Sequence, residues 1–168
     1  SYEGKFVKLA ADLTLTEAWT PIGNGTRSSK SYSGNAFKGT FDGDNKTISG
    51  LKITSTTGND AAIGLFGVVD GGTVKNLTLN NVDINVANSN LAGGAIGLML
   101  GGATAENITV NGAIVGNDGV GGIVGRLVIN GTIKDCTNNA SVTSSYGGIG
   151  GIVGKAYYED GANTAIFA

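Results

Sequence analysis

One four-residue pattern, glycine–apolar–apolar–glycine, recurs through this chain and limits what it can fold into more than any other feature. It reads Gly64-Leu65-Phe66-Gly67, Gly94-Ala95-Ile96-Gly97, Gly122-Ile123-Val124-Gly125 and Gly151-Ile152-Val153-Gly154, with starts about 30, 28 and 29 residues apart. A near-constant period of this length marks a repeat architecture, in which no unit buries its apolar face alone and each stacks on its neighbours.

A second block follows the first three copies: Thr73 to Leu79, Thr104 to Val110, and Thr132 to Asn138, with an earlier copy read at Thr47 to Ile53. Apolar residues stand at its second position (Ile48, Val74, Ala105, Ile133) and its fifth (Leu51, Leu77, Ile108, Cys136). A strand has period two, so the one-residue slip between them, at Gly50, Asn76, Asn107 and Asp135, predicts a corner there. These residue types tolerate the left-handed backbone that a corner demands. A third apolar pair follows at Val82 and Ile84, Ala113 and Val115, then Ala140 and Val142.

The columns therefore predict an all-β fold, a parallel β-helix or β-solenoid of about five rungs, each roughly 28 residues with three short strands. Lys75, Glu106 and Lys134 alternate in charge on the outward side, and Thr78, Thr109 and Thr137 form a threonine ladder. Right-handedness is expected from the bias of parallel crossovers.

The ends are less regular. Residues 1–35 read as an entry coil, with strand-like Phe6-Val7-Lys8-Leu9 and Leu13-Thr14-Leu15 interrupted by a polar loop from Gly23 to Asn35. Residues 36–155 carry the regular repeats, and 156–168 form a last partial coil or a cap. No polar cap follows the apolar Ala165-Ile166-Phe167-Ala168, so a single solenoid domain that is part of a larger protein is expected.

Phe41-Asp42-Gly43-Asp44-Asn45 running into Thr47-Ile48-Ser49-Gly50-Leu51, with the Gly-x-x-Gly copies after it and Trp19-Thr20-Pro21-Ile22-Gly23 before it, resembles the GLUG-motif repeats of bacterial surface and secreted proteins. That resemblance covers nearly the whole chain. It implies a right-handed β-helix segment of a large extracellular protein, in a family whose segments accompany adhesins and some peptidases, and it carries over no catalytic residue.

Charge and chemistry narrow the function. Of 168 residues, 40% are hydrophobic and only 14% charged, which is too apolar for disorder, and the net charge of −2 with scattered basic residues disfavours nucleic acid and anionic membrane as partners. No run of eighteen apolar residues is present to insert this segment in a bilayer. There is no histidine, so Ser-His-Asp and Cys-His nucleophiles and histidine metal sites are excluded. Cys136 shares the column of Leu77 and Ile108 and reads as a buried thiol.

Asp42 and Asp44 in a glycine turn offer oxygen ligands for calcium. The glutamate that would complete a calcium loop is missing, so a plain turn is the better reading and no cofactor is expected. Asp42, Asp44, Asp70, Asp83, Glu106, Asp118 and Asp135 do not share a column, which argues against a paired-carboxylate catalyst and leaves no catalytic residue to name. Trp19, Arg27, Tyr32, Tyr157 and Tyr158 are the candidate ligand-binding residues, aromatic platforms and a polar contact suited to sugar rings. Against this, Trp19 would serve as a cap over the open end and the tyrosines as half-buried strand residues. The expected function is a non-enzymatic, adhesin-like module at the cell surface or outside it, presenting a surface to glycans or matrix proteins or acting as a rigid spacer. A polysaccharide-active β-helix enzyme is the alternative.

Overall fold

The computed structural model describes residues 2–28, 31–55, 58–128, 130–157 and 166–167. Its repeating unit is clearest in the strand Thr73–Asn85, where Val74, Leu77, Leu79, Val82 and Ile84 are buried and the residues between them face outward. Inward positions two apart are straight strand. The two steps of three, 74 to 77 and 79 to 82, contain Asn76 and Asn81, whose φ angles of 54° and 51° turn the chain. Each flat side is thus two or three residues long, and the corners are asparagines in the left-handed region.

The next coil repeats this on top. Thr104, Ala105, Glu106, Ile108 and Val110 pair in parallel with Thr73, Val74, Lys75, Leu77 and Leu79, and Asn107 turns the same corner at φ 50°. Asp135 does so one coil further on, at φ 54°. Thr40, Thr73, Thr104 and Thr132 stand in register, so successive coils are 33, 31 and 28 residues long. About five coils stack in this way, with no helix among the described residues.

Two columns differ from the sequence reading. Ile48 pairs with Leu79, not Val74, and Ile53 with Ile84, while Phe41 is the residue beneath Val74. Gly50, at φ 79°, therefore turns the second corner, the one Asn81 turns above it; the first corner of that coil is Asp44-Asn45, at φ 52° and 58°. The cause is a degeneracy: inward residues spaced three then two apart occur at both corners, so 48, 51 and 53 fit either. In the fourth coil the inward residue is Ile114, not Ala113 or Val115, because one residue is missing between Val110 and Gly112 relative to the coil below. A single-residue change flips every following side chain.

After its third side each coil runs through one more short parallel strand, Ala62–Ile63, then Leu91–Gly93, then the stretch at Val120 and Gly121, before the Gly-x-x-Gly segment. Phe66–Asp70, Ile96–Leu100, Val124–Val128 and Val153–Tyr157 form a four-stranded parallel sheet across the core from the twelve-stranded one. The second glycine is fixed by crowding: a Cβ on Gly97 would lie 2.3 Å from the Ile63 backbone nitrogen. Between the sheets, Phe66 packs 4.9 Å from Phe37 and 5.3 Å from Phe41, centroid to centroid.

Phe6–Lys8 and Leu13–Thr14 lie beneath Thr40–Asp42 and Ile48–Ser49 as an incomplete first coil. The polar stretch expected as a loop is an antiparallel hairpin, Gly25–Ser28 with Ser31–Gly34. At the other end Ile166 and Phe167 pair with Thr132 and Ile133, continuing the stack. The outward charges alternate along Asp42, Lys75, Glu106 and Lys134, with Lys134 Nζ 2.9 Å from Glu106 Oε1. Thr47, Thr78, Thr109 and Thr137 form the threonine ladder.

Candidate functional site: a cleft between hairpin and coil

The hairpin departs from the repeat, and it walls one side of a concavity. Its strands alternate, so Arg27 pairs with Tyr32 while Thr26 pairs with Ser33. Gly25 lets it lie against the four-stranded sheet, since a Cβ there would sit 2.7 Å from Val68 Cγ2. Tyr32 packs against the apolar cluster that includes Val68 and Leu98, and its hydroxyl donates to Asp70 Oδ2 at 3.0 Å. Lys38 Nζ holds the same carboxylate at 2.9 Å. Burial first, then the bond to Asp70, raises the Tyr32 pKa. The Arg27 backbone N–H donates to the Asp60 carbonyl at 2.9 Å, and Thr26 bridges to Ala61, so the hairpin is tied to the loop of the second coil.

Trp19 faces this junction. Its indole Nε1 donates to the Leu65 carbonyl at 3.0 Å, its backbone N–H to Lys52 at 2.8 Å, and the ring packs partly buried against the core. An open cleft of about 420 Å³ lies between the coil and the hairpin, with Trp19, Ile53, Asn24, Thr26, Ser33 and Ser55 among its walls. No ionisable side chain is among the described residues that line it.

The remaining candidates are elsewhere. Tyr157 covers Arg126, whose guanidinium carbon is 4.8 Å from the ring centroid. Arg126 pairs with Leu98 and continues the outward column of Val68 and Leu98, and it is only 3% exposed. Its Nη2 is 3.9 Å from Asp118 Oδ2, an oxygen that Lys155 Nζ already contacts; its Nε and Nη1 have no partner among the described residues. Desolvation, then the charge of Arg27, lowers its pKa. Tyr158 lies outside the described residues. The four described candidates fall in two places: Trp19 lines the cleft, whereas Arg27 and Tyr32, on the alternate hairpin positions, lie along the outward column of Val68 and Leu98 that Arg126 continues under Tyr157.

The cleft hydroxyls and the group of Arg126, Asp118 and Lys155 escaped the sequence reading. For the second a signal was present: the residue after each second motif glycine is Val68, then Leu98, then Arg126 and Lys155. Thr26, Ser33 and Ser55 carried none, since hydroxyl residues are scattered throughout the polar segments.

The turn carboxylates are engaged in structure. Asp42 Oδ1 accepts the Asp44 backbone N–H at 2.9 Å and Asn76 Nδ2 at 3.0 Å, and Lys75 Nζ lies 3.6 Å from Oδ2. The Asp44 amide, followed by Asn76, holds the Asp42 carboxyl below the usual range. Asp44 pairs with Lys8 at 3.0 Å, and Asp83 with Lys52 at 3.7 Å. No group of three potential metal ligands is present among the described residues. The Cys136 thiol faces the Lys134 and Ala105 carbonyls, and burial raises its pKa.

The model of the GLUG motif matches residues 116–143, the stretch that holds the third Gly-x-x-Gly arch and two later sides of the coil. Halomucin from Haloquadratum walsbyi is 39% identical over 151 residues, which are 82% of this chain and 2% of Halomucin. This chain thus spans a small fraction of the length of the relative it matches. No solved structure matches it. The arch is thus repeated four times along one axis, and the coil at residues 116–143 carries the GLUG motif.

Proposed function

We propose that this chain is a non-enzymatic module of an extracellular or cell-surface protein, a rigid solenoid that presents a binding surface to glycans or matrix components. The single observation that carries the binding role is the cleft beside Trp19, which lies where the repeat is interrupted. The likeness to a segment of Halomucin supports the setting. Most of the carboxylates are held by a lysine, and Asp42 and Glu106, which share an outward column, are separated there by Lys75, which supports a binding role over cleavage.

Affinity electrophoresis through gels containing plant, microbial and host polysaccharides, each also stained for cleavage, tests this reading. Retardation without clearing is expected. Clearing that a single carboxylate substitution abolishes would replace it with the enzyme.

A further inference from the structure

The chemistry of the cleft bears on what it holds, and this step rests on the binding role proposed above. Two insertions meet there. One is the hairpin; the other is the corner between Ile53 and Ala62, longer than the corresponding corner between Ile84 and Leu91 in the coil above. Insertions in repeat proteins gather on one face, often the binding face. Here they are fastened to each other by the Arg27–Asp60 backbone bond and the Thr26–Ala61 bridge, so the cleft is preformed.

Its walls combine an indole and Ile53 with the hydroxyls of Thr26, Ser33 and Ser55 and the amide of Asn24. An apolar surface edged by neutral hydrogen-bonding groups complements a ring that is apolar on its C–H face and hydroxylated at its rim. At about 420 Å³ the space is at the small end of ligand clefts. Arg27, the nearby cation, alternates away from the Thr26 position. A carboxylate or sulfate in the cleft would lose water without gaining a counter-charge from the described walls.

We infer that the cleft beside Trp19 takes uncharged pyranosyl units of a polysaccharide and discriminates against acidic ones.

The test uses the whole chain in gels containing dextran or mannan, and in parallel gels containing polygalacturonate or hyaluronate. Thr26→Glu introduces a charge at the cleft wall and Ser33→Trp fills it; both positions are exposed, and circular dichroism confirms that each variant folds. The expected result is retardation by a neutral polysaccharide alone, weakened about tenfold or more in both variants. Retardation by the acidic gels, or neutral retardation unchanged in both folded variants, overturns this inference and leaves the broader binding role standing. No retardation in any gel overturns this inference together with the glycan reading it rests on.

Discussion

Ile84 in the third coil, Ile114 in the fourth and Val142 in the fifth occupy one inward column. Ile84 and Ile114 are 1% and 0% exposed, whereas Val142 is only partly buried, and Ile149, in register with the fully buried Val120, is 55% exposed. The residue types hardly change along these columns; what changes is whether a coil lies on both sides among the described residues. Burial here belongs to the stack, as nearest-neighbour stabilisation in a quasi-one-dimensional protein requires.

The first glycines of the arches sharpen this comparison most. A Cβ on Gly122 would lie 2.2 Å from the Gly151 carbonyl oxygen, while one on Gly151 would meet nothing within 4 Å. Gly122→Ala should therefore destabilise by about 4 kcal/mol or more, the range of severe backbone clashes, and Gly151→Ala by no more than about 0.5 kcal/mol. Urea unfolding of both variants measures the difference; equal costs would break the comparison.

Truncating the column comes next. Ile114→Ala should cost about 3 kcal/mol and Val142→Ala about 1 kcal/mol or less, since the second site is already open to water. Chemical denaturation again reads both.

Arg126 tests the outward face. It extends the column of Val68 and Leu98 with two unpartnered buried donors among the described residues, and Asp118 keeps Lys155 without it. Arg126→Leu should leave Tm unchanged or raise it, as replacement of a poorly paired buried charge by an apolar side chain often does. A large fall in Tm would mean that the guanidinium holds the outer layer together.

The smallest effect lies on the charge column. The Asp42 carboxyl titrates lower in the folded state than in the unfolded one, so its contribution is present above the unfolded pKa and is lost as pH falls through the folded value. Asp42→Asn should cost less than about 1 kcal/mol at neutral pH and flatten the acid side of the stability profile. Thermal melts across that range check the slope.

Corner residues were legible because their chemistry is local: Asn76, Asn107 and Asp135 need only a left-handed backbone, and all three adopt it. The register of Thr47 to Ile53 was not, because the spacing of three then two recurs at both corners and only Phe41 beneath Val74 resolves it. The face of Ala113 and Val115 was misread because Gly112 spans a corner one residue shorter. The hairpin escaped notice since Gly25-Thr26-Arg27-Ser28 has no apolar alternation, its pairing being set by backbone bonds and by its seat on Val68. Of the candidate site, Trp19 was found by residue type. Strand alternation, which separates it from Arg27 and Tyr32, requires a hairpin that the sequence did not announce.

Hydrogen exchange followed by mass spectrometry, coil by coil, tests the central claim most directly. The account predicts that amides of the third and fourth coils, residues 73–86 and 104–115, exchange slowly and together, and that those of residues 141–150 exchange much faster. Uniform protection from the second coil to the fifth would contradict it.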